Sequence, residues 1–122
     1  MGCPQKEKDR ILLVDDDKEI RNIVSLFLTH FGYVVRSAEN GKEGMHVFLD
    51  GAFELVITDL DMPEVDGLTF ASHIKERAPH IPVVLITGGG FGGVGVEDPF
   101  DVVMHKPFAL SNLKETVQNL LC

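Results

Sequence analysis

Ile11-Leu12-Leu13-Val14-Asp15-Asp16 is a short branched apolar run that ends on two carboxylates. Four such residues suit a buried strand and are too few for a helix. Three further runs share the form. Leu55-Val56-Ile57 leads through Thr58 to Asp59, Val83-Val84-Leu85-Ile86 leads to Thr87, and Val102-Val103-Met104 leads past His105 to Lys106. If the strands are parallel neighbours, two acids, a third acid, a hydroxyl and a cation converge at one edge of one sheet.

The segments between these runs read as helices. Ile20, Ile23, Val24, Phe27, Leu28 and Phe31 form an apolar stripe at helical spacing. Asp16 or Asp17 is placed to cap its start, and Gly32 to stop it. Tyr33–Ser37 is expected as the second strand and Asn40–Leu49 as a helix with Met45 and Phe48 inward. The third strand is expected over Phe53–Thr58. A helix with Leu68, Ala71 and Ile74 inward then ends before Pro79. Ile81–Thr87 and Asp101–His105 are the last two strands. Leu110, Leu113, Val117, Leu120 and Leu121 mark a closing amphipathic helix. This alternation predicts one doubly wound parallel α/β sheet with helices on both faces. One interval breaks the pattern. Six of the eight residues from Gly88 to Gly95 are glycine, which disfavours a stable helix where one is due.

Composition bounds the function. The chain has 122 residues, enough for a single domain. A flexible segment over residues 1–9 and a folded domain over 10–122 are expected. The formal net charge of −8 argues against nucleic acid or an anionic membrane as direct partner. No apolar stretch approaches the length of a bilayer span, and the N-terminus lacks the apolar core of a secretory signal. Cys3 and Cys122 lie at the two ends and read as free thiols of a cytoplasmic protein. His30, His46, His73, His80 and His105 show no metal-ligand spacing and read as surface residues.

In open parallel sheets, ligands bind beyond the carboxyl ends of the strands. Asp15, Asp16 and Asp59 brought together would repel, and one would take up a proton. A hard divalent cation removes that repulsion, and oxygen ligands with room for water favour Mg²⁺. Asp17 is read as a helix cap. Taken singly, Asp59, Thr87 and Lys106 are ordinary surface or strand-end residues. Together, metal, carboxylate, hydroxyl and ammonium are the groups needed to receive a phosphoryl group.

These residues resemble the receiver domain of two-component response regulators. The matching motifs are Leu13-Val14-Asp15-Asp16, Asp59-Leu60-Asp61-Met62-Pro63 with Asp66-Gly67, Thr87-Gly88, and Lys106-Pro107-Phe108. The resemblance runs from Ile11 to about Leu121. It implies a flavodoxin-like five-stranded sheet in the order 2-1-3-4-5. It implies Asp59 as phosphoacceptor from a phosphohistidine, with Thr87 and Lys106 holding the phosphoryl oxygens. Asp15, Asp16, Asp59 and the backbone carbonyl of Asp61 would bind Mg²⁺. Lys106-Pro107 would be a cis peptide. The implied partners are a histidine kinase or histidine phosphotransfer protein, with an output domain possible in a full-length chain. The domain would catalyse its own phosphorylation and dephosphorylation without acting on an external substrate.

The chain departs from this family's pattern in places. The glycine-rich interval replaces most of the usual fourth helix, so a remodelled output face is expected. The aromatic residue often found three positions before the lysine is Val103 here, which has no ring to turn inward on activation. Asp61 stands where the family often has a neutral residue. Two rival readings remain at this point. A haloacid-dehalogenase-like phosphatase would use Asp59 and Asp61 as nucleophile and acid, but it wants further metal-binding acids toward the C-terminal side. A receiver-like binding module that is never phosphorylated would usually have lost one of the acid, threonine or lysine.

Overall fold

The apolar runs form strands and the periodic segments form helices. Their order is β1 (Arg10–Val14), α1 (Lys18–His30), β2 (Val34–Ala38), α2 (Gly41–Asp50), β3 (Leu55–Asp59), α3 (Gly67–Arg77), β4 (Val83–Thr87), β5 (Val102–His105) and α4 (Leu110–Leu120). The structure is a computed structural model and describes residues 9–60, 62, 65–88 and 99–121. Expectations for the first eight residues, Asp61, Pro63, both cysteines and the glycines from 89 onward in the glycine-rich stretch therefore fall outside the described residues.

All strand pairs are parallel, and the sheet order is β2-β1-β3-β4-β5. The central strands β1, β3 and β4 carry apolar residues on both faces because both faces are covered. Leu12, Val14, Val56, Val83 and Leu85 pack with Phe48 of α2 and Phe70, Ala71 and Ile74 of α3. The alternate residues Ile11, Leu13, Leu55, Ile57, Val84 and Ile86 pack with Val24 and Leu28 of α1 and Leu113 and Val117 of α4. Period-two alternation along each strand thus supplies two cores from one sheet. The edge strands β2 and β5 are partly exposed.

Local chemistry sets the helix ends. Asp17 caps α1, its carboxylate accepting from the N–H groups of Glu19 and Ile20. Asn40 and Asp66 cap α2 and α3 in the same way. Gly32 follows α1 with φ of 96°, a left-handed conformation that glycine adopts at little cost. Its N–H donates to Thr29 O at 3.0 Å.

Several expected details shift. β2 begins at Val34 because the Tyr33 N–H still bonds Leu28 O and belongs to the end of α1. β3 begins at Leu55, and Phe53 instead stacks on Phe48 with ring centroids 6.3 Å apart. β4 begins at Val83, after Ile81 and Pro82. Asp9, placed by the sequence in the N-terminal segment, is buried, and its carbonyl accepts from Val34 N. In α3 the expected inward residue Leu68 is 39% exposed, while Phe70 is fully buried. The cap at Asp66 puts Gly67 first in the helix, which turns positions 67, 70, 71 and 74 toward the sheet. In α1, Ile23 lies at the margin of its stripe and is 48% exposed.

This phase of α3 is testable by denaturation. Phe70→Ala is expected to cost about 3–5 kcal/mol in urea unfolding, and Leu68→Ala under about 1 kcal/mol. Equal costs would mean that the helix is rotated from the orientation described.

Candidate functional site

Strand registry assembles the site. Val14 pairs with Thr58, so Asp15 and Asp59 leave β1 and β3 side by side. Asp59 pairs with Ile86, and Thr87 pairs with His105 one residue before Lys106. Main-chain bonds continue the alignment past the strand ends. Asp15 N–H donates to Ala38 O at 3.2 Å, and Lys106 N–H donates to Thr87 O at 2.8 Å.

Asp15, Asp16 and Asp59 each place a carboxylate oxygen within 4.8 Å of the others. Asp15 and Asp59 are buried and Asp16 is exposed. Asp15 Oδ1 accepts from Asp17 N at 2.8 Å, and Asp59 Oδ1 accepts from Leu60 N at 2.9 Å. Lys106 Nζ lies 3.2 Å from Asp15 Oδ2 and 3.7 Å from Asp59 Oδ1, bridging the two buried acids. Thr87 is fully buried at the end of β4. The Lys106–Pro107 peptide is cis. Beside Lys106, the side chains of Ile20, Ile23, Pro107 and Phe108 line an apolar groove.

The electrostatics are unbalanced. At this separation, two buried carboxylates repel by roughly 3 kcal/mol at an effective dielectric near 20, and one ammonium serves both. Burial pushes Asp59 up to about 6, with the Asp15 charge adding to the shift and Lys106 opposing it. Asp15 is also raised, chiefly by burial, although the Asp17 N–H and Lys106 pull it down. Lys106 is raised: burial disfavours its charge, but Asp15 and Asp59 outweigh that. Such a site lacks positive charge, and an all-oxygen donor set with an exposed member suits a hard divalent cation that keeps some of its water.

The loop after Asp59 is held close. Gly67 N–H donates to Leu60 O at 2.8 Å, and a Cβ on Gly67 would collide with the Asp59 carbonyl oxygen. Thr58 Oγ1 donates to that same oxygen at 2.9 Å. The structure thus brings together Asp15, Asp16, Asp59 and Lys106, with Thr87 on the neighbouring strand end. Asp61 lies outside the described residues. The five histidines are exposed. One residue was not singled out by sequence: Arg21, whose Nη1 donates to Asp15 O at 2.6 Å. Its signal was a cation one turn into a helix that opens next to three consecutive acids.

The chain resembles known proteins over nearly its whole length. The response regulator receiver domain family matches residues 11–118. Histidine kinase P4 of Formosa agariphila is 35% identical over 96% of this chain, which spans 9% of that protein. The Escherichia coli transcriptional regulatory protein CusR is 31% identical over 92% of this chain, which spans 51% of it. Among solved structures, the response regulator TrrA of Thermotoga maritima, in complex with Mg²⁺-BeF, is 34% identical with a TM-score of 0.83, covering 93% of this chain and 99% of its own. Among the described residues, no helix is long and apolar enough to cross a membrane. With the sheet order, the acid cluster and this coverage, the chain belongs to the family of response-regulator receiver domains of two-component signalling.

Proposed function

We propose that this domain takes a phosphoryl group from a phosphohistidine onto Asp59 with Mg²⁺ and relays the signal through altered protein contacts. The observation that carries the reading is the Lys106 ammonium held between Asp15 and Asp59 beside a third acid. Asp15, Asp16 and Asp59 would hold the ion, Asp15 through water, together with the Asp61 carbonyl. When bound, Mg²⁺ would neutralise the carboxylates and the charge on the transferring oxygens.

The chain's own residues have separable tasks. A carboxylate oxygen of Asp59 forms a bond to phosphorus as the phosphorus–nitrogen bond of the donor breaks. The electron pair returns to the imidazole, which recovers a proton from solvent. Lys106 would stabilise the phosphoryl oxygens, and Thr87 would donate a hydrogen bond to one of them. The Leu60 N–H fixes the Asp59 carboxylate orientation. Water attack on the acyl phosphate releases inorganic phosphate and returns Asp59 to its free carboxylate.

The donor would be a histidine kinase or histidine phosphotransfer protein in the cytoplasm. The longer relatives named above support an output or kinase domain adjoining such a module. Val103 is 38% exposed on β5 and has no ring to turn inward, so signalling would rely on another contact. The dehalogenase-like alternative finds no support in the family match.

Two experiments test this reading. Asp59→Asn is expected to abolish phosphoryl uptake from acetyl phosphate in Mg²⁺, seen by intact-protein mass. Persistent uptake would place the acceptor elsewhere. The second measures charge frustration in EDTA. Asp59 sits at about 6 in the fold, above its ordinary 3.8. Below 3.8 it is neutral whether folded or unfolded and carries no penalty. As pH rises to about 6, its contribution to stability falls, and above that the penalty is constant. Asp59→Asn should therefore stabilise the metal-free protein near neutral pH by on the order of 1–3 kcal/mol, and the gain should vanish toward pH 4. Added Mg²⁺ should stabilise wild type more than the variant. A pH-independent gain in thermal melts would refute this electrostatic origin.

A further inference from the structure

Besides the Lys106 contact to its Oδ2, Asp15 is fixed at three points. Its N–H donates to Ala38 O at 3.2 Å, its Oδ1 accepts from Asp17 N at 2.8 Å, and its carbonyl accepts from Arg21 Nη1 at 2.6 Å. The first two partners are main chain. Arg21 is the side-chain member of the set and can be altered without removing a backbone group. Asp15 Oδ2 faces Lys106, and the Asp15 carboxylate clusters with those of Asp16 and Asp59.

The location of Arg21 is unusual on local grounds. It lies in the first turn of α1, where its own N–H makes an early helical bond to Asp17 O at 3.0 Å. A cation near a helix N-terminus opposes the macrodipole. The compensation is visible. Side chains in a helix lean toward its N-terminus, so the guanidinium reaches back six residues to a partly buried carbonyl at the strand-to-helix turn. Charge-assisted bonds of this kind are shorter and stronger than neutral ones.

We propose that Arg21 is a positioning residue for the divalent-cation site: it locks the Asp15 carbonyl and so sets the direction in which Asp15 presents its carboxylate beside Asp16 and Asp59. It acts through the main chain of Asp15 rather than as a counter-ion to the carboxylates. The inference rests on the Mg²⁺ reading proposed above. Supporting hydrogen bonds to metal-binding residues typically govern affinity by ten- to a hundredfold.

The test is Mg²⁺ titration of the full chain by calorimetry, with thermal melts in EDTA alongside. Arg21→Met is expected to weaken Mg²⁺ binding by roughly tenfold or more. Arg21→Gln, which keeps an N–H donor but loses the charge, is expected to retain more affinity than Arg21→Met. A Mg²⁺ affinity of Arg21→Met within about twofold of wild type would overturn the inference even if its melting temperature falls. Tighter Mg²⁺ binding by both Arg21→Gln and Arg21→Met would also overturn it, by showing that Arg21 acts on the site only as a repelling charge. Absence of Mg²⁺ binding by wild type would instead refute the metal reading itself, and this inference with it.

Discussion

Asp15 and Asp59 end adjacent parallel strands, and their carboxylates lie with that of Asp16 inside a sphere of a few ångströms. Parallel pairing makes this unavoidable. When β1 and β3 run the same way in register, whatever follows Val14 must stand beside whatever follows Thr58. The sheet thereby concentrates negative charge at one edge, where burial of two of the acids amplifies the repulsion. Much of the surrounding structure manages that charge. Lys106 arrives from β5 to lie between the buried pair, and the N–H groups of Asp17 and Leu60 each accommodate one oxygen. The remaining imbalance shows as the upward displacement of Asp59. An uncompensated cluster of this kind suits a hard divalent cation, which would remove the repulsion.

Holding such a cluster requires a rigid frame. The apolar alternation of β1, β3 and β4 packs α2 and α3 on one face and α1 and α4 on the other. Neither face can shift without opening a core, which keeps the strand ends in register. Close backbone approach then places the loops. Gly67 lets α3 start directly against the Asp59 carbonyl, and Asp17 starts α1 directly after the acid pair. The arrangement explains why the acids occur at strand exits and not on helices. A strand end is the place where a carboxylate is positioned by a sheet yet remains open on one side.

The strands and their parallel alternation with helices were legible because short branched runs separated by periodic segments leave few topologies for a chain of this length, while the strand order was implied by the resemblance to receiver domains. The acids, Thr87 and Lys106 were legible because each directly follows such a run. The misjudged details have local causes. Leu68 was expected inward because Leu68, Ala71 and Ile74 fit a helical stripe, but the Asp66 cap set a different phase that buries Phe70. Tyr33 and Phe53 are apolar and buried as a strand residue would be, yet one closes a helix and the other stacks on Phe48. Burial is readable from residue type, but the element that achieves it depends on hydrogen bonds the sequence does not display.

By itself, then, the sequence determined the class of fold, the family motifs and the identities of the groups at the strand ends, because these follow from apolar period and from which residue ends each run. Tertiary structure alone decided how those groups meet. Lys106 lies 91 residues from Asp15 in sequence, and its amine bridges two acids through parallel pairing across four strands. Arg21 reaches the Asp15 carbonyl only once the turn between β1 and α1 has folded. The shared burial that raises Asp59 likewise belongs to no single segment. Charge repulsion and hydrogen-bond direction depend on distances of a few ångströms, and only the packed sheet sets those.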